Sequence, residues 1–429
     1  MVEATTDSGT NGTTTGGRKR VTVDLDQHSA TYREHWPQIS DDLLDRCPVA
    51  WTEAYGGVWV VSGHQDAVRV LREWTTFSSY QDHHDPTSPR RGTSTPPQPQ
   101  LSVPLELDPP ASTVYRRLLS GPFSPQQARQ REPFIREITT ACLDRITESG
   151  AADLVAALTN PVPAIVTLDI LGLPLPLWER YAWAVHRIVH SPPASAQASR
   201  AAAAVGDMMA DVGQTVVRRR TDPTDDLISL LATATGDDGR LLPLDHVISA
   251  CGLVIAGGVD TTTALVSHAL HWLHRHPAQR ERLIAEPARI PVAVEEFLRV
   301  AAPVQFMTRT ATRDVELGGQ RIAAGERVMV SFAAANRDPA VFDCPAQVRL
   351  DRTPNRHLAF GSGVHRCVGA HLATVQAVVM LQEVLRRIPD YVIDEDRVER
   401  YPSIGVVNGY VNLPATFTPS PATGVSLPG

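Results

Sequence analysis

The sequence predicts a mainly α-helical protein with small β-sheets, of the α+β class, in a single large domain over residues 21–429. Helical spacing of apolar residues dominates the chain after residue 108, and the segment 244–276 would form a helix about 50 Å long. Strand patterns are confined to short segments. Because no repeat or linker interrupts the sequence, we expect these elements to share one domain.

The N-terminal part combines a tail, a hairpin and an irregular segment. Residues 1–20 are rich in Thr, Gly and Ser and predict a disordered tail. WTEAYGGVWVVSG (51–63) has the aromatic and β-branched content of a hairpin, and apolar spacing in 64–73 predicts a helix. Proline and small polar residues dominate 80–107, so we expect no regular element there. A segment of that length is either a floppy insert or a functional one.

Helices are predicted through most of the remaining chain. Asp108-Pro-Pro marks a helix start, because proline suits the first helical turn. The segment 244–276 is apolar nearly all round in its first half, so it should run through the centre of the protein. Asn408-Gly409 lies between apolar runs and predicts a hairpin. The other expected elements are helices over roughly 125–150, 151–172, 176–190, 199–219 and 287–301, and strands over 305–334.

Composition and charge exclude several functional classes. Hydrophobic residues make up 42% and charged residues 20% of the chain, as in ordinary globular domains. The net charge of −7 gives no general attraction to nucleic acid or to anionic membranes. The longest apolar stretch ends at Asp260 and is too short to span a bilayer, and the N-terminus lacks the apolar core of a secretory signal. We therefore expect a cytoplasmic, monomeric protein that binds neither nucleic acid nor membrane.

One of the five cysteines has unusual neighbours. The cysteines are scattered and form no CxxC pair, which argues against a disulfide framework and a structural zinc site. Cys367 lies in HLAFGSGVHRCVGAHLA, and helical spacing after it places a helix start at about this residue. Unpaired N–H groups and the helix dipole favour the thiolate at that position. Gly361, Gly363 and Gly369 allow the backbone to approach a large flat group.

A single thiolate without other cysteine or histidine ligands suits an iron whose in-plane positions are already filled, as in haem. An inert buried cysteine at a helix start is the alternative from these residues alone. The pattern Phe360-x-x-Gly363-x-x-x-Cys367-x-Gly369, however, resembles the haem-binding signature of the cytochrome P450 family, soluble bacterial type. The resemblance spans about 35–418 and implies haem b, iron protoporphyrin IX, with the Cys367 thiolate as axial ligand. It implies further cofactor contacts by Phe360, Gly361, Gly363 and Gly369.

A second motif interrupts the apolar central helix at Gly257-Gly258-Val259-Asp260-Thr261. Taken alone, the paired glycines indicate a notch where another helix crosses. The family resemblance implies instead that Thr261 hydrogen-bonds iron-bound dioxygen and that Asp260 relays protons, so that the distal oxygen leaves as water. We therefore expect Asp260 and Thr261 to be catalytic.

The resemblance also implies a structural triad. Glu296 and Arg299 share a helix face, a pairing that is common on protein surfaces. In the family the matching pair is buried and joined by an arginine ahead of the cysteine loop, which corresponds to Arg352. We expect these three residues to secure the haem platform without taking part in the chemistry.

Charged residues are expected to hold the two haem propionates. Arginine suits a carboxylate because its planar fork can bind both oxygens. The family positions correspond to Arg116, Arg309 and His365. Ser112 stands where many bacterial relatives have histidine, so one propionate contact is expected to come from serine or from water.

These residues together predict a haem-thiolate monooxygenase that hydroxylates or epoxidises a medium-sized, partly apolar substrate, in a biosynthetic tailoring step. Another haem-thiolate oxidation (oxidative coupling, nitration or a peroxide-driven reaction) and a non-catalytic haem sensor are the alternatives. Residues 80–107 and about 188–200 are expected to cover the pocket, the first as a mobile lid. The predicted pocket residues are Leu253, Val254, Gly257, Phe306 and Met307.

Electrons are expected from separate proteins, since no flavin or nicotinamide domain fits on this chain. By family analogy these are a ferredoxin and an NAD(P)H-dependent ferredoxin reductase. Arg117, Arg356 and Arg366 are candidates for a basic docking patch on the cysteine side, although a solvated charged surface explains them equally well.

Overall fold

The structure is a computed structural model that describes residues 20–85, 87–191 and 195–428. The predicted disordered tail lies outside the described residues except for Arg20. Arg20 donates a 2.7 Å hydrogen bond to Glu326 and lies over the Trp51 ring, with its guanidinium carbon 4.1 Å from the ring centre. The last residue of the predicted tail is therefore attached to the domain.

Helices form about half of the described chain, in agreement with the predicted class. A π-helical turn, Val155–Thr159, precedes α6. The α-helices are α1 (Ala30–Arg46), α2 (His64–Arg72), α3 (Thr113–Ser120), α4 (Pro125–Gln130), α5 (Glu132–Asp144), α6 (Pro161–Leu171), α7 (Trp178–His190), α8 (Ala196–Thr221), α9 (Leu227–Ala232), α10 (Leu244–Arg275), α11 (Pro277–Ala285), α12 (Ile290–Ala301), α13 (Phe332–Ala335) and α14 (Ala370–Arg387).

Small sheets join distant parts of the chain. The largest has the strand order β1-β2-β8-β5-β3, so the predicted N-terminal hairpin pairs with strands from the C-terminal half. A second sheet, β4-β12-β9, connects the start of the helical region with the C-terminus. The strands are β1 (Val49–Thr52), β2 (Val58–Val61), β3 (Phe77–Ser78), β4 (Ala151–Asp153), β5 (Phe306–Ala311), β6 (Val315–Leu317), β7 (Gln320–Ile322), β8 (Arg327–Ser331), β9 (Val392–Ile393), β10 (Glu399–Arg400), β11 (Tyr410–Asn412) and β12 (Pro414–Thr416).

The long helix α10 is the centre of the fold, as its apolar first half predicts. It packs against α6, α7, α8, α12 and α14. By length and composition alone it is the one helix in the described chain that could cross a membrane, with half of its most apolar stretch buried inside the protein. A buried core helix of a globular protein has the same composition.

Several predicted boundaries are wrong; the helix expected over 151–172, for example, is preceded by strand β4 (Ala151–Asp153). The helix expected at Asp108-Pro-Pro begins at Thr113, because hydrogen-bonded turns occupy the residues before it. The helix expected at about Cys367 begins at Ala370, because the Cys367 amide donates to the Phe360 carbonyl instead of entering a helix. Asn408-Gly409 does not close a two-residue hairpin, since β11 pairs with β10 across a longer loop. Asn408 bonds instead to the chain that follows α12.

The segment 80–107 contains no helix or named strand among its described residues, as predicted, but it is well anchored. The Glu106 carboxylate accepts hydrogen bonds from the amides of Thr93 (2.7 Å) and Ser102 (3.0 Å), which ties the segment to itself. The Val103 amide donates to Ser249 Oγ on α10 at 2.9 Å. Polar contacts rather than regular structure therefore hold this segment in place.

Candidate active site

The cysteine loop is closed by backbone hydrogen bonds ahead of α14. The Cys367 amide donates to the Phe360 carbonyl at 2.8 Å, and the Gly361 amide donates to the Leu358 carbonyl at 2.8 Å. Gly361 and Gly363 have φ angles of 65° and 72°, in the left-handed region that favours glycine. The backbone conformation therefore explains why glycine occurs at these two positions of the predicted pattern.

Gly363 also lies against the end of α2. A Cβ atom built on Gly363 would lie 2.6 Å from the Leu71 carbonyl oxygen and 3.0 Å from the Arg72 Cα, and both are backbone atoms. At Gly361 a Cβ atom would meet nothing within 4 Å. The close approach of loop and helix therefore requires glycine at 363 for space as well as for conformation.

Gly363→Ala should consequently destabilise the cysteine loop far more than Gly361→Ala. Both variants carry the left-handed conformational penalty, about 1–2 kcal/mol, but only the first forces α2 and the loop apart. We expect lower haem content and a lower urea midpoint of unfolding for Gly363→Ala, measured by absorbance and circular dichroism. Equal losses in the two variants would contradict the steric explanation.

Cys367 faces an internal space. Its side chain is exposed, yet burial raises the pKa of the thiol, a combination expected on the wall of an interior cavity. Backbone N–H groups of Gly369 and Ala370 and the charges of Arg116 and Arg366 oppose that rise. Unpaired amides near the helix start therefore do lower the pKa of the thiol, as predicted, although the helix itself begins three residues after Cys367.

The middle of α10 also borders an accessible interior space. Ala256 and Gly257 are exposed, although Ile255 and Val259 beside them are fully buried. The Thr261 hydroxyl donates a 2.7 Å hydrogen bond to the Gly257 carbonyl one turn earlier. Since α10 packs against α14, which directly follows the cysteine loop, accessible residues occur both on α10 and in that loop.

The two arginines of the predicted propionate set form no ion pair with an acidic residue of the described chain, although the charges of Asp108 and Glu106 oppose the effect of burial on the pKa of Arg309. Arg309 is 3% exposed, and its one hydrogen bond within the described chain goes to the Thr308 carbonyl. Burial lowers the pKa of Arg309 to about 10. Arg116 donates to the Arg366 carbonyl at 2.8 Å and forms no ion pair with a described residue. A buried guanidinium without a counter-charge is unfavourable.

His365 completes this set. Burial, aided by the charges of Arg309 and Arg116, lowers the pKa of its imidazole to about 3. Its Nε2 atom lies 2.8 Å from Ser79 Oγ, and its buried Nδ1 has no partner within the described chain. The nearest carboxylate, Asp108, is 3.9 Å from Nε2 and already accepts hydrogen bonds from Ser78 and Ser79.

Ser112 is buried at the N-cap of α3, one turn before Arg116. Its side chain makes no capping hydrogen bond, while its carbonyl accepts from the Arg116 amide at 3.0 Å. The structure therefore brings Ser112 and Arg116 together on one helix end.

The predicted structural triad forms a buried network. Arg299 is fully buried and donates to both oxygens of the fully buried Glu296, at 2.9 and 2.8 Å. Arg352 Nε lies 3.1 Å from the same carboxylate. Burial raises the pKa of Glu296, but these hydrogen bonds and the Arg349 amide hold it below its usual value. Asn355, which the sequence did not suggest, adds a further donor at 3.0 Å.

Asp260 has partners that the sequence analysis missed. Its carboxylate is fully buried and accepts hydrogen bonds from the Tyr401 hydroxyl, at 2.9 and 2.8 Å, and lies 2.8 Å from His186 Nδ1. His190, one turn after His186 on α7, stacks on Tyr401 with ring centres 5.1 Å apart. The two histidines are four residues apart in sequence, which places them on one helix face. No local pattern, however, indicates that this face meets Tyr401.

The predicted pocket residues divide into two groups. Leu253 and Val254 are half-buried on α10, and Gly257 is exposed on the next turn. Phe306 is 7% exposed and packs against Tyr32 with ring centres 5.3 Å apart, so its ring belongs to a core cluster. Met307 follows it on β5 and is half-buried. The predicted pocket residues on α10 are therefore more exposed than Phe306, whose ring is part of the core.

The outer side of the cysteine loop carries two grooves. One, of about 420 Å³, is lined by residues that include Phe360, Gly361 and Arg366. The other, of about 490 Å³, is lined by residues that include Arg72, Arg356 and Arg366. Arg117 is also exposed. The predicted docking residues are therefore accessible.

Comparison with known proteins identifies the class. A model of the cytochrome P450 family matches residues 195–400. Cytochrome P450 130 of Mycobacterium tuberculosis is 36% identical over 346 residues, covering 79% of this chain and 84% of the relative. Steroid C26-monooxygenase of the same species is 34% identical over 395 residues, covering 89% and 98%.

Solved structures agree with these relatives. A mutant of P450 EryK in complex with erythromycin B superimposes with a TM-score of 0.82 and 30% identity, over 92% of this chain and all of that one. The fold and site thus define a haem-thiolate oxidoreductase, a monooxygenase. The chain belongs to the cytochrome P450 family.

Proposed function

We propose that this chain holds haem b between α10 and the cysteine loop, with the Cys367 thiolate as axial ligand, and inserts one oxygen atom of O₂ into an organic substrate. The observation that carries the proposal is a cluster of basic groups, Arg309, Arg116 and His365, in which neither arginine forms an ion pair within the described chain and the buried His365 Nδ1 has no partner there. A group with two carboxylates would neutralise the guanidinium charges and give the orphaned His365 nitrogen a partner.

The residues around this set fit the same cofactor. Phe360, Gly361, Gly363 and Gly369 form the tight loop around Cys367, and Ser112 is adjacent to Arg116. When bound, the haem supplies the activation of dioxygen. The protein contributes a sulfur that accepts from amide N–H groups and the segment 80–107, which hydrogen bonds anchor to α10.

Asp260 and Thr261 are proposed to supply protons to the reaction. The Thr261 hydroxyl gives its hydrogen to the Gly257 carbonyl, so its lone pairs are available to accept a hydrogen bond from a ligand. Asp260 is adjacent in sequence but points toward His186 and Tyr401. Proton delivery therefore has two stages, an outer one at Asp260 and an inner one at Thr261.

The substrate is proposed to be a medium-sized, partly apolar molecule modified in a biosynthetic pathway. Apolar residues of α10 (Leu253, Val254) and the exposed Gly257 support this, with Met307 and, less directly, Phe306 at the edge. The similarity to a steroid C26-monooxygenase and to a mutant of P450 EryK in complex with erythromycin B supports an organic, partly apolar substrate. The protein is further proposed to be a cytoplasmic monomer supplied by a ferredoxin and its reductase through Arg117, Arg356 and Arg366.

The direct test is a titration of purified protein with a compound panel, following the iron spin state in the absorbance spectrum. A bound compound is then incubated with NADPH, a surrogate ferredoxin and its reductase, and oxygenated product is quantified. NADPH-dependent product with one added oxygen atom supports the proposal. Product with peroxide alone and none with NADPH would favour the peroxide-driven alternative.

Thr261→Ala should uncouple oxygen consumption from product formation. Without the hydroxyl the inner stage of proton delivery is lost, so reduced oxygen leaves as peroxide. We expect product per NADPH to fall at least about tenfold, within the usual range for a lost proton-transfer group, while peroxide rises. Thr262→Ala, on the same helix with a buried side chain, is the control and should keep its coupling. Unchanged coupling in Thr261→Ala would contradict the assigned role.

A further inference from the structure

Asp260 is too deeply buried to exchange protons with solvent directly. It is 0% exposed, and its two partners come from other parts of the fold, His186 from α7 and Tyr401 from the loop after β10. We propose that His186 is the positioning residue that passes solvent protons to Asp260, and that the Tyr401 hydroxyl donates its hydrogen bond to whichever of the two is the acceptor. This inference rests on the proposed function, because it supplies the outer stage of the proton delivery described there.

The contacts at Asp260 determine which imidazole nitrogen carries hydrogen. The Tyr401 hydroxyl has a single hydrogen and lies within hydrogen-bond distance of both carboxylate oxygens. An ionised carboxylate only accepts, so His186 Nδ1, 2.8 Å from Oδ1, must donate. Neutral His186 is therefore expected as the Nδ1–H tautomer, with Nε2 as the acceptor.

The other nitrogen is placed to receive a proton. His186 Nε2 is buried and has no partner among the described residues, although 12% of the side chain is exposed. A buried nitrogen without a partner is unfavourable unless it has a function or binds water. Because Asp260 is fully buried and His186 is not, the imidazole is the member of the pair nearer to solvent.

The transfer balances without any reagent other than solvent protons. A proton binds Nε2 and forms the imidazolium, and the Nδ1 proton then passes to Asp260 Oδ1. This leaves the Nε2–H tautomer, whose Nδ1 has become an acceptor. The Tyr401 oxygen lies 3.1 Å from that Nδ1, so its hydroxyl can turn from the protonated Asp260 to His186. When Asp260 delivers its proton inward, it becomes the acceptor for Tyr401 again, and His186 returns to its starting tautomer by releasing the Nε2 proton to solvent and taking one up on Nδ1.

The surrounding charges suit this transfer. Asp260 on α10 and Tyr401 face the imidazole, and His190 on α7 lies with its ring centre 4.9 Å from that of His186. Burial lowers the pKa of His190 to about 4, with His186 and Arg187 adding to the effect. His190 is therefore neutral near pH 7 and does not compete for the proton, and the Asp260 carboxylate lies 2.8 Å from His186 Nδ1.

The test separates hydrogen bonding from proton transfer by replacing His186 with asparagine. The asparagine amide reproduces the Nδ1 donor to Asp260 but has no second nitrogen that can bind a proton. We expect His186→Asn to keep its carbon monoxide spectrum. NADPH-driven oxygen consumption, with a surrogate ferredoxin and reductase and no added compound, should slow by about tenfold or more, with a larger solvent deuterium isotope effect. His276→Asn is the matched control, since His276 Nδ1 also makes a 2.8 Å hydrogen bond, at the far end of α10.

A second measurement does not depend on turnover. The protein is labelled with ¹⁵N-histidine and held in the diamagnetic, reduced, carbon monoxide-bound form for NMR spectroscopy. The imidazole nitrogen signals that are absent from the spectrum of His186→Asn belong to His186. We expect the Nδ1–H tautomer at high pH and protonation of Nε2 as pH falls. An Nε2–H tautomer at high pH would overturn the inference, as would wild-type rates and isotope effects in His186→Asn. If wild-type protein itself lacks the thiolate–haem spectrum, the proposed function fails instead.

Discussion

Cys367→Ser should abolish the thiolate–haem signature while leaving the fold intact. Serine has nearly the same size, but its hydroxyl is not ionised near pH 7, so the sulfur ligand held by the amides of Gly369 and Ala370 is lost. We expect the strongly red-shifted absorbance of the reduced, carbon monoxide-bound protein to disappear. NADPH-dependent product should fall by more than about 100-fold, since even outer partners of metal ligands change activity by about 10–100-fold.

Cys344→Ser is the matched control, because Cys344 is also exposed and carries none of the proposed roles. It should retain both the spectrum and the activity. Haem content and far-ultraviolet circular dichroism of each variant exclude unfolding as the cause. A retained red-shifted band in correctly folded, haem-loaded Cys367→Ser would contradict the assignment of the axial ligand.

Arg299→Ala should be the most destabilising single change in the structural network. Arg299 is fully buried and gives both oxygens of Glu296 a donor, and it also donates to the carbonyls of Asn336 and Pro345. Removing it leaves a buried carboxylate with fewer partners and two carbonyls without theirs. Breaking a buried pair in this way costs about 3–5 kcal/mol of the free energy of unfolding, measured by urea denaturation of the haem-loaded protein.

Arg289→Ala provides the comparison within the same part of the chain. Arg289 pairs with Glu286 at 2.6 Å, but both side chains are more than 40% exposed, so the expected loss is about 0–1 kcal/mol. Arg299→Lys keeps the charge and loses the planar fork, so it should lie between the two. If Arg299→Ala is insoluble, the Lys variant still supplies the measurement. Equal unfolding free energies for Arg299→Lys, Arg289→Ala and wild type would contradict the network's role.

The sequence was most informative where local pattern and burial coincide. The hairpin β1–β2 and the central helix α10 follow their predictions closely, because alternation and all-round hydrophobicity are local signals. The Cys367 loop was recognised by its motif, but the helix start was misplaced. The Cys367 amide bonds to the Phe360 carbonyl instead of forming the first bonds of a helix. The spacing of apolar residues contains no signal for this bond.

Long-range contacts set the limits of prediction elsewhere. Asn408-Gly409 has the composition of a hairpin turn, yet Asn408 bonds to Pro303 and Ala301, more than 100 residues away. Likewise, the Asp260 motif is visible in sequence, but its partners His186 and Tyr401 lie on separate elements. A single sequence contains no signal that brings such groups together.

The buried guanidinium of Arg309 has a consequence for how the protein matures in the cell. A chain that finished folding alone would enclose this cation without an ion pair, and such a state is less stable than one that has captured an anionic cofactor. Cofactor uptake and the last stage of folding should therefore be a single event. The yield of intact protein from an expression host would then follow the host's supply of porphyrin and iron rather than the rate of translation.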